Sequence, residues 1–283
     1  MDYINIFRDY LKTQGRSDNT IDSYIRDILQ FQRFYDAKNN AELSSAIQLD
    51  IVEYKKYLQK QDYKVATINR KLVSLNIFFK FMFDSNYINN NISIETIEDK
   101  DDKEFKGLED EEIWKLRKEI HRFGNERDIC IFEILANTGI RVSELVDIKL
   151  NDIDISERKG ELIIREGKGD SKRTLPLNKD ARVAIDNYIE VRKADNDYLL
   201  QGQRGRMTRK GIDTMLKKYG DRLGIEVSAH RIRHTLAYKL IRNGSVGITT
   251  VKNILGHNDI QTTLIYTQTT EKDKREALDN LEW

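Results

Sequence analysis

The sequence predicts a mainly α protein in two helical parts, the second carrying a small antiparallel β-sheet. Three observations point there. Apolar side chains recur at helical spacing through the first ninety residues. A polar run without periodicity then occupies residues 86–104. Beyond it helical stripes resume, interrupted by two β-rich runs around a turn with two glycines. A chain of 283 residues is long enough for two domains of ordinary size.

The elements follow in order. Tyr3, Ile4, Phe7, Tyr10 and Leu11 mark a first helix that stops at Gly15. Ser17 or Asp18 caps a second, whose stripe is Ile21, Tyr24, Ile25, Ile28, Phe31, Phe34 and Tyr35. A third runs from about Asp50 through Ile51, Tyr54, Tyr57 and Leu58. A fourth runs from about Ala66 through Ile68, Leu72, Leu75, Phe78, Phe79 and Met82. Four amphipathic helices at this length predict a small bundle over residues 1–95. Residues 96–107 are expected to form the linker proper, overlapping the end of the polar run, and residues 108–283 the second domain. That domain opens with helices at 109–121 and 126–137, the turn Thr138-Gly139-Ile140 and a short helix at 143–147. Residues 160–165 and 172–177 form a hairpin, and the one proline, Pro176, suits its edge strand. Helices are expected again at 178–193, 208–223, 231–243 and 248–255.

Composition excludes several classes. No stretch approaches the ~20 apolar residues needed to span a bilayer, and the N-terminus lacks the layout of a secretory signal. The single cysteine, Cys130, excludes a disulfide framework and a cysteine-based zinc site. A cytoplasmic location is expected. Charge is uneven: residues 201–257 carry 12 basic and 3 acidic side chains, against a net +1 for the whole chain. Such a stretch is either the footprint of a polyanion or a solvated basic face.

His230-Arg231-Ile232-Arg233-His234 follows Ser228, a candidate cap, so it begins a helix. Residues 230, 233 and 234 then share a face and Arg231 points elsewhere. Cations and an imidazole on one face at a helix N-terminus make an anion site, and the Arg233 fork suits two phosphate oxygens. The i, i+4 histidines also fit zinc spacing, although the glutamate of an HExxH pattern is missing. Surface or satisfied helix residues are the plain alternative. Elsewhere Gly256 ends a helix before His257, Tyr266 follows nine residues later, Arg141 follows a glycine turn, and Lys168 sits in the hairpin tip. Each is weak alone.

In order along the chain, TGIRVSEL, GKG…LPL, HRIRH, LGH and the tyrosine nine residues on resemble the tyrosine site-specific recombinases of the phage-integrase and Xer type. SDNTIDSYIRDILQF and ATINRKLVSLNIFFKFM resemble the helices of that family's core DNA-binding domain. The resemblance covers nearly the whole chain. It implies a helical core DNA-binding domain and a catalytic domain that together clamp DNA. It assigns Arg141 and Arg233 to the scissile phosphate, His230 and His257 to the two catalytic histidine positions, Lys168 to the hairpin lysine, Tyr266 to the nucleophile and Glu144 to an acidic residue supporting the first arginine. DNA contacts are expected from Arg26, Arg33, Lys55, Arg70, Lys71, Arg204, Arg206, Arg209 and Lys210.

The implied chemistry needs no metal and no cofactor. Arginines and His257 neutralise the charge gathering on a phosphorane. A phenol of pKa ~10 is a weak nucleophile until a base such as His230 takes its proton. Lys168 would protonate the leaving 5′-oxygen, and the phosphotyrosyl bond conserves the energy needed for religation. The implied partners are double-stranded DNA with paired recombinase sites, a homotetramer joined through the C-terminal segment Glu271–Trp283, and accessory DNA-binding proteins, with no membrane. A nucleoid-associated enzyme is expected.

Three departures stand out: Asn89-Asn90-Asn91 where the family often has proline, a loop at 244–251 about one residue longer than usual, and Gln268 in place of a common histidine. No additional N-terminal arm-binding domain is apparent, which favours dimer or cointegrate resolution over integration. A phage- or element-type integrase, a non-catalytic DNA-binding module and a type IB topoisomerase are the rival readings.

Overall fold

The computed structural model describes residues 2–39, 41–98, 107–165, 172–193, 196–242 and 246–256. The chain divides into two units, Met1–Asp102 and Lys103–Trp283.

The first unit is a helical bundle of α1 (Tyr3–Thr13), α2 (Asp18–Asn39), α3 (Gln48–Lys60) and α4 (Val65–Asp84). Its boundaries are chemical. Asp2 accepts the Asn5 backbone N–H at 3.1 Å, and Ser17 Oγ accepts that of Thr20 at 3.3 Å. Gly15, at φ +64°, lets the chain reverse between α1 and α2. The third helix starts slightly earlier than its stripe suggests, because Asp50 reaches back to the Ile47 N–H at 2.9 Å. The core is aromatic: Phe31 meets Tyr54 and Phe79 edge-on at 5.1 and 5.8 Å between ring centroids. Burying each such ring contributes about 1.5–3 kcal/mol.

The linker reading of residues 86–104 needs correction. Up to Ile97 the segment is held on the bundle. Ile88 and Ile92 are buried, and Ile94 and Ile97 pack against the same core. Its backbone has side-chain partners: the Asn69 amide exchanges bonds with Ile97 at 2.7 and 2.8 Å, and Gln48 does so with Ser93 at 3.1 and 2.7 Å. On the other side, Leu108 is buried and donates its N–H to Thr235 Oγ1 at 2.6 Å. The expected linker of 96–107 is shortened at its N-terminal end by Ile97, Leu108 lies where the second domain was expected to begin, and residues 99–106 lie outside the described residues.

The second unit is built around α6 (Glu126–Thr138), whose Cys130, Ile131, Phe132, Ile134 and Leu135 are all buried. Around it lie α5 (Asp110–Phe123), α8 (Lys179–Val191) and α10 (Ala229–Arg242), with α7 (Val142–Asp147), α9 (Arg209–Leu223) and α11 (Ile248–Leu255) completing the helices. The expected hairpin is present as β2 (Gly160–Arg165) and β3 (Lys172–Pro176), paired antiparallel with Ile164 opposite Arg173. A strand not foreseen, β1 (Ile153–Ile155), pairs on the other side of β2 and makes a three-stranded sheet. Pro176 therefore lies on an edge strand, where its missing N–H leaves no ladder bond unmade. A further unforeseen ribbon joins β4 (Gln201–Gly202) to β5 (Gly205–Arg206). Both additions are too short to show alternation. No helix among the described residues is long and apolar enough to cross a membrane.

Candidate active site

Two helix ends build the site. Helix α6 ends at Gly139 in the left-handed region, and α11 ends the same way at Gly256. A Cβ at Gly139 would meet Leu236 and Leu255 at 2.9 and 3.0 Å, so the end of α6 is packed directly against α10 and α11. The turn after Gly139 delivers Arg141 to the start of α7. There Glu144, one turn on, accepts the Arg141 backbone N–H at 2.8 Å and its Nη1 at 2.9 Å.

Arg141 and Arg233 then converge on consecutive peptides. Arg141 Nη2 donates to the Gly256 carbonyl at 2.5 Å. Arg233, only 5% exposed on α10, donates to the Leu255 carbonyl at 2.8 Å and to the Gly139 carbonyl at 2.6 Å. These carbonyls are the negative ends of α11 and α6, suitable anchors for guanidinium groups. The two arginines, far apart in sequence, are held against the two successive peptides that lead up to His257.

A third arginine joins them that the sequence reading missed. Arg173, on β3, forks onto Glu144 with Nη1 to Oε1 at 3.0 Å and Nη2 to Oε2 at 2.8 Å. Its Nη2 also lies 3.5 Å from the Leu255 carbonyl. Burial pushes the Glu144 carboxyl up, but the bonds from Arg173 and from the Arg141 N–H and guanidinium outweigh it and hold the group below the ordinary glutamate value. No local spacing marks Arg173, because its partner lies 29 residues away.

Ser228 Oγ accepts the Arg231 N–H at 3.2 Å and caps α10. His230 is exposed at the first turn, and its Nε2 meets Nε2 of buried His234 at 2.7 Å. His234 thus holds the His230 ring edge-on, in keeping with the shared helix face of residues 230 and 234. Arg231 turns away and donates to the Gly107 carbonyl at 2.9 Å. Among the described residues, no group of three or more His, Cys, Asp or Glu is arranged to hold a metal ion. Lys168, His257, Tyr266, Gln268 and the C-terminal segment lie outside the described residues.

The residues expected to touch DNA fare differently. Arg26 and Arg33 are exposed on α2, two turns apart. Lys55 is half-buried and donates to the Glu95 carbonyl at 3.2 Å. Arg70 forks onto Asp27 and donates to Ser23 Oγ at 2.7 Å. Lys71 is a correction. It is 7% exposed, with its ammonium on Asp27 at 3.2 Å and Gln30 at 2.6 Å, so it neutralises a buried carboxylate inside the bundle and is not presented to DNA. Arg204, Arg209 and Lys210 are exposed around the β4–β5 ribbon and the start of α9. Arg206 pairs with Asp147, donates to the Val146 carbonyl at 2.9 Å and lies over the Tyr198 ring.

Residues 106–273 match the Phage integrase family, and residues 4–86 match the phage integrase N-terminal SAM-like domain. The chain is 31% identical to tyrosine recombinase XerA of Pyrococcus horikoshii, over 98% of this chain and 93% of that protein. It is 28% identical to the TnP I resolvase of Bacillus thuringiensis, over 98% of this chain and all of that one. Its fold is similar to that of the XerH site-specific recombinase bound to palindromic difH substrate, with a TM-score of 0.78 at 21% identity, covering 92% of this chain and 79% of that one. With both family segments present in order, and with the arginine of TGIRVSEL meeting that of HRIRH beside the LG of LGH, the chain belongs to the phage integrase family, among the Xer-like tyrosine recombinases.

Proposed function

We propose that this recombinase cuts and rejoins DNA at paired specific sites through a 3′-phosphotyrosyl bond to Tyr266. One observation carries the reading: Arg141 and Arg233 are anchored to the Gly256 and Leu255 carbonyls, immediately before His257. A phosphate gripped by both guanidinium groups would lie close to that histidine.

The scheme balances without an external energy source. The Tyr266 oxygen attacks the scissile phosphorus, its proton passing to His230. Arg141, Arg233 and His257 stabilise the charge that builds on the non-bridging oxygens. The bond from phosphorus to the 5′-oxygen breaks, and Lys168 gives that oxygen a proton. Religation runs the same steps backwards with the 5′-hydroxyl of another strand. Two such exchanges, through a Holliday junction, recombine two duplexes. The described part of the site supports the phosphate grip; the roles of Tyr266, Lys168 and His257 rest on their motif positions.

The likeness to the TnP I resolvase favours resolution of dimers or cointegrates, by a homotetramer on two sites joined through Glu271–Trp283, with accessory proteins setting direction. The test is a substrate nicked beside the cleavage point. Wild-type protein should accumulate a covalent protein–DNA adduct in the presence of EDTA. Tyr266→Phe should bind the same DNA and form none. An adduct that survives in Tyr266→Phe, or that requires Mg²⁺, rejects the mechanism. A plasmid with two directly repeated sites, losing the DNA between them, distinguishes resolution from simple relaxation.

A further inference from the structure

We propose that Arg173 is a positioning residue for strand cleavage, fixing Arg141 and the peptide before His257 in one frame. The proposal rests on the cleavage reading given above. Arg173 touches three elements at once. It stands on β3, forks onto Glu144 of α7, and packs against the end of α11, where a Cβ at Gly256 would lie 2.5 Å from its guanidinium. The Leu255 carbonyl, already bonded to Arg233, lies 3.5 Å from its Nη2.

Two consequences follow. The first is geometric. Glu144 is the direct anchor of Arg141, and Arg173 grips both oxygens of Glu144, so the plane of the carboxylate is set from the sheet. Arg173 on β3 also follows Lys168 by five residues in sequence. The hairpin strand, the first arginine and the LGH peptide are thereby tied at a single guanidinium. The second is electrostatic. Glu144 shared between Arg141 and Arg173 neutralises Arg141 less than it would if paired with Arg141 alone, which leaves more of that charge for the phosphate. A lysine cannot replace the fork, since an ammonium is a point charge and cannot hold two carboxylate oxygens in a plane.

The experiment measures single-turnover adduct formation on the nicked substrate, site affinity by gel shift and thermal melting, for the full-length protein. Arg173→Ala should slow cleavage on the order of 10²-fold, the cost of an ångström-scale misplacement, and Arg173→Lys roughly 10-fold. Site affinity should stay within about threefold, because the contact is not to DNA. In a cycle with Glu144→Gln, the double variant should be no slower than the slower single variant, since both act through one contact. Should Arg173→Ala fail to fold, Arg173→Lys carries the measurement. Cleavage within about twofold of wild type, affinity falling in step with rate, or losses that multiply in the double variant overturn the role of Arg173. A wild-type protein that forms no Tyr266-dependent adduct overturns the cleavage reading instead, and the role of Arg173 in cleavage with it.

Discussion

Among the described residues, each unit contains a carboxylate gripped by an arginine and a second cation, Asp27 in the first and Glu144 in the second, and the two clusters behave differently. In the bundle, Asp27 of α2 holds Arg70 and Lys71 of α4, and also accepts from Ser74 Oγ at 2.8 Å. Asp27 is 3% exposed and its partners converge on it from one helix, so the cluster closes on itself and joins α2 to α4. In the second unit, Glu144 holds Arg141 and Arg173, but both arginines reach beyond it to the carbonyls that end α11. The first arrangement consumes its cations in packing. The second gathers them at a helix end beside the peptide that enters His257. A carboxylate–cation cluster signals a functional site when its cations point onward together, and signals stability when they point back at their partner.

Breaking the first cluster should give the largest effect on folding. Asp27→Ala leaves the Lys71 ammonium buried without a counter-charge, and Arg70 without its fork. Removing one partner of a buried pair costs about 3–5 kcal/mol, and because Arg70 is partly exposed the lower end is expected. Denaturant unfolding of the whole protein should show the first transition shifted, with the second unit's transition unmoved. A loss below about 1 kcal/mol, the range of surface pairs, would show that the cluster is not a buried lock.

The second cluster should respond to acid in a defined direction. The Glu144 carboxyl is held below its unfolded value, so its contribution to stability is complete above the ordinary glutamate range near about 4.3 and fades as the pH falls through the lower folded value. Glu144→Gln removes that titration. Between about pH 5 and pH 3 the wild type should lose stability more steeply than Glu144→Gln, and the two curves should run parallel at neutral pH. Parallel curves throughout would mean that Glu144 has the same proton affinity folded and unfolded.

The two clusters also differ in how far sequence reveals them. Lys71 was readable in principle: Ile68, Lys71, Leu72 and Leu75 lie at i, i+3, i+4 and i+7, which places the lysine inside the buried stripe of α4. Reading it by charge alone put it on the surface. Arg141, Glu144, His230 and Arg233 were legible because their motifs fix residue type and order. The helices were legible because each buries a continuous apolar stripe. Arg173 was not, since its contacts on Glu144 and Leu255 are 29 and 82 residues distant and only the fold brings them together. Ile88, Ile92, Ile94 and Ile97 escaped for another reason: they share no single period, and asparagines among them mimic a solvated linker.

The smallest effect separates strain from placement. Gly224 closes α9 at φ +66°, and Gly256 closes α11 at φ +65°. Alanine at either position forces an L-residue into the left-handed region, at about 1 kcal/mol. The surroundings differ. Nothing lies within 4 Å of a Cβ at Gly224, whereas a Cβ at Gly256 meets the Arg173 guanidinium at 2.5 Å. Both variants should melt roughly 2–4 °C lower than wild type. Gly224→Ala should cleave the nicked substrate at the wild-type rate. Gly256→Ala must displace Arg173 or the consecutive peptides that Arg141 and Arg233 hold, and should cleave on the order of 10-fold more slowly. Equal cleavage rates in the two variants, at equal loss of melting temperature, would mean that the end of α11 tolerates a shifted arginine and that the three guanidiniums are not held in one frame.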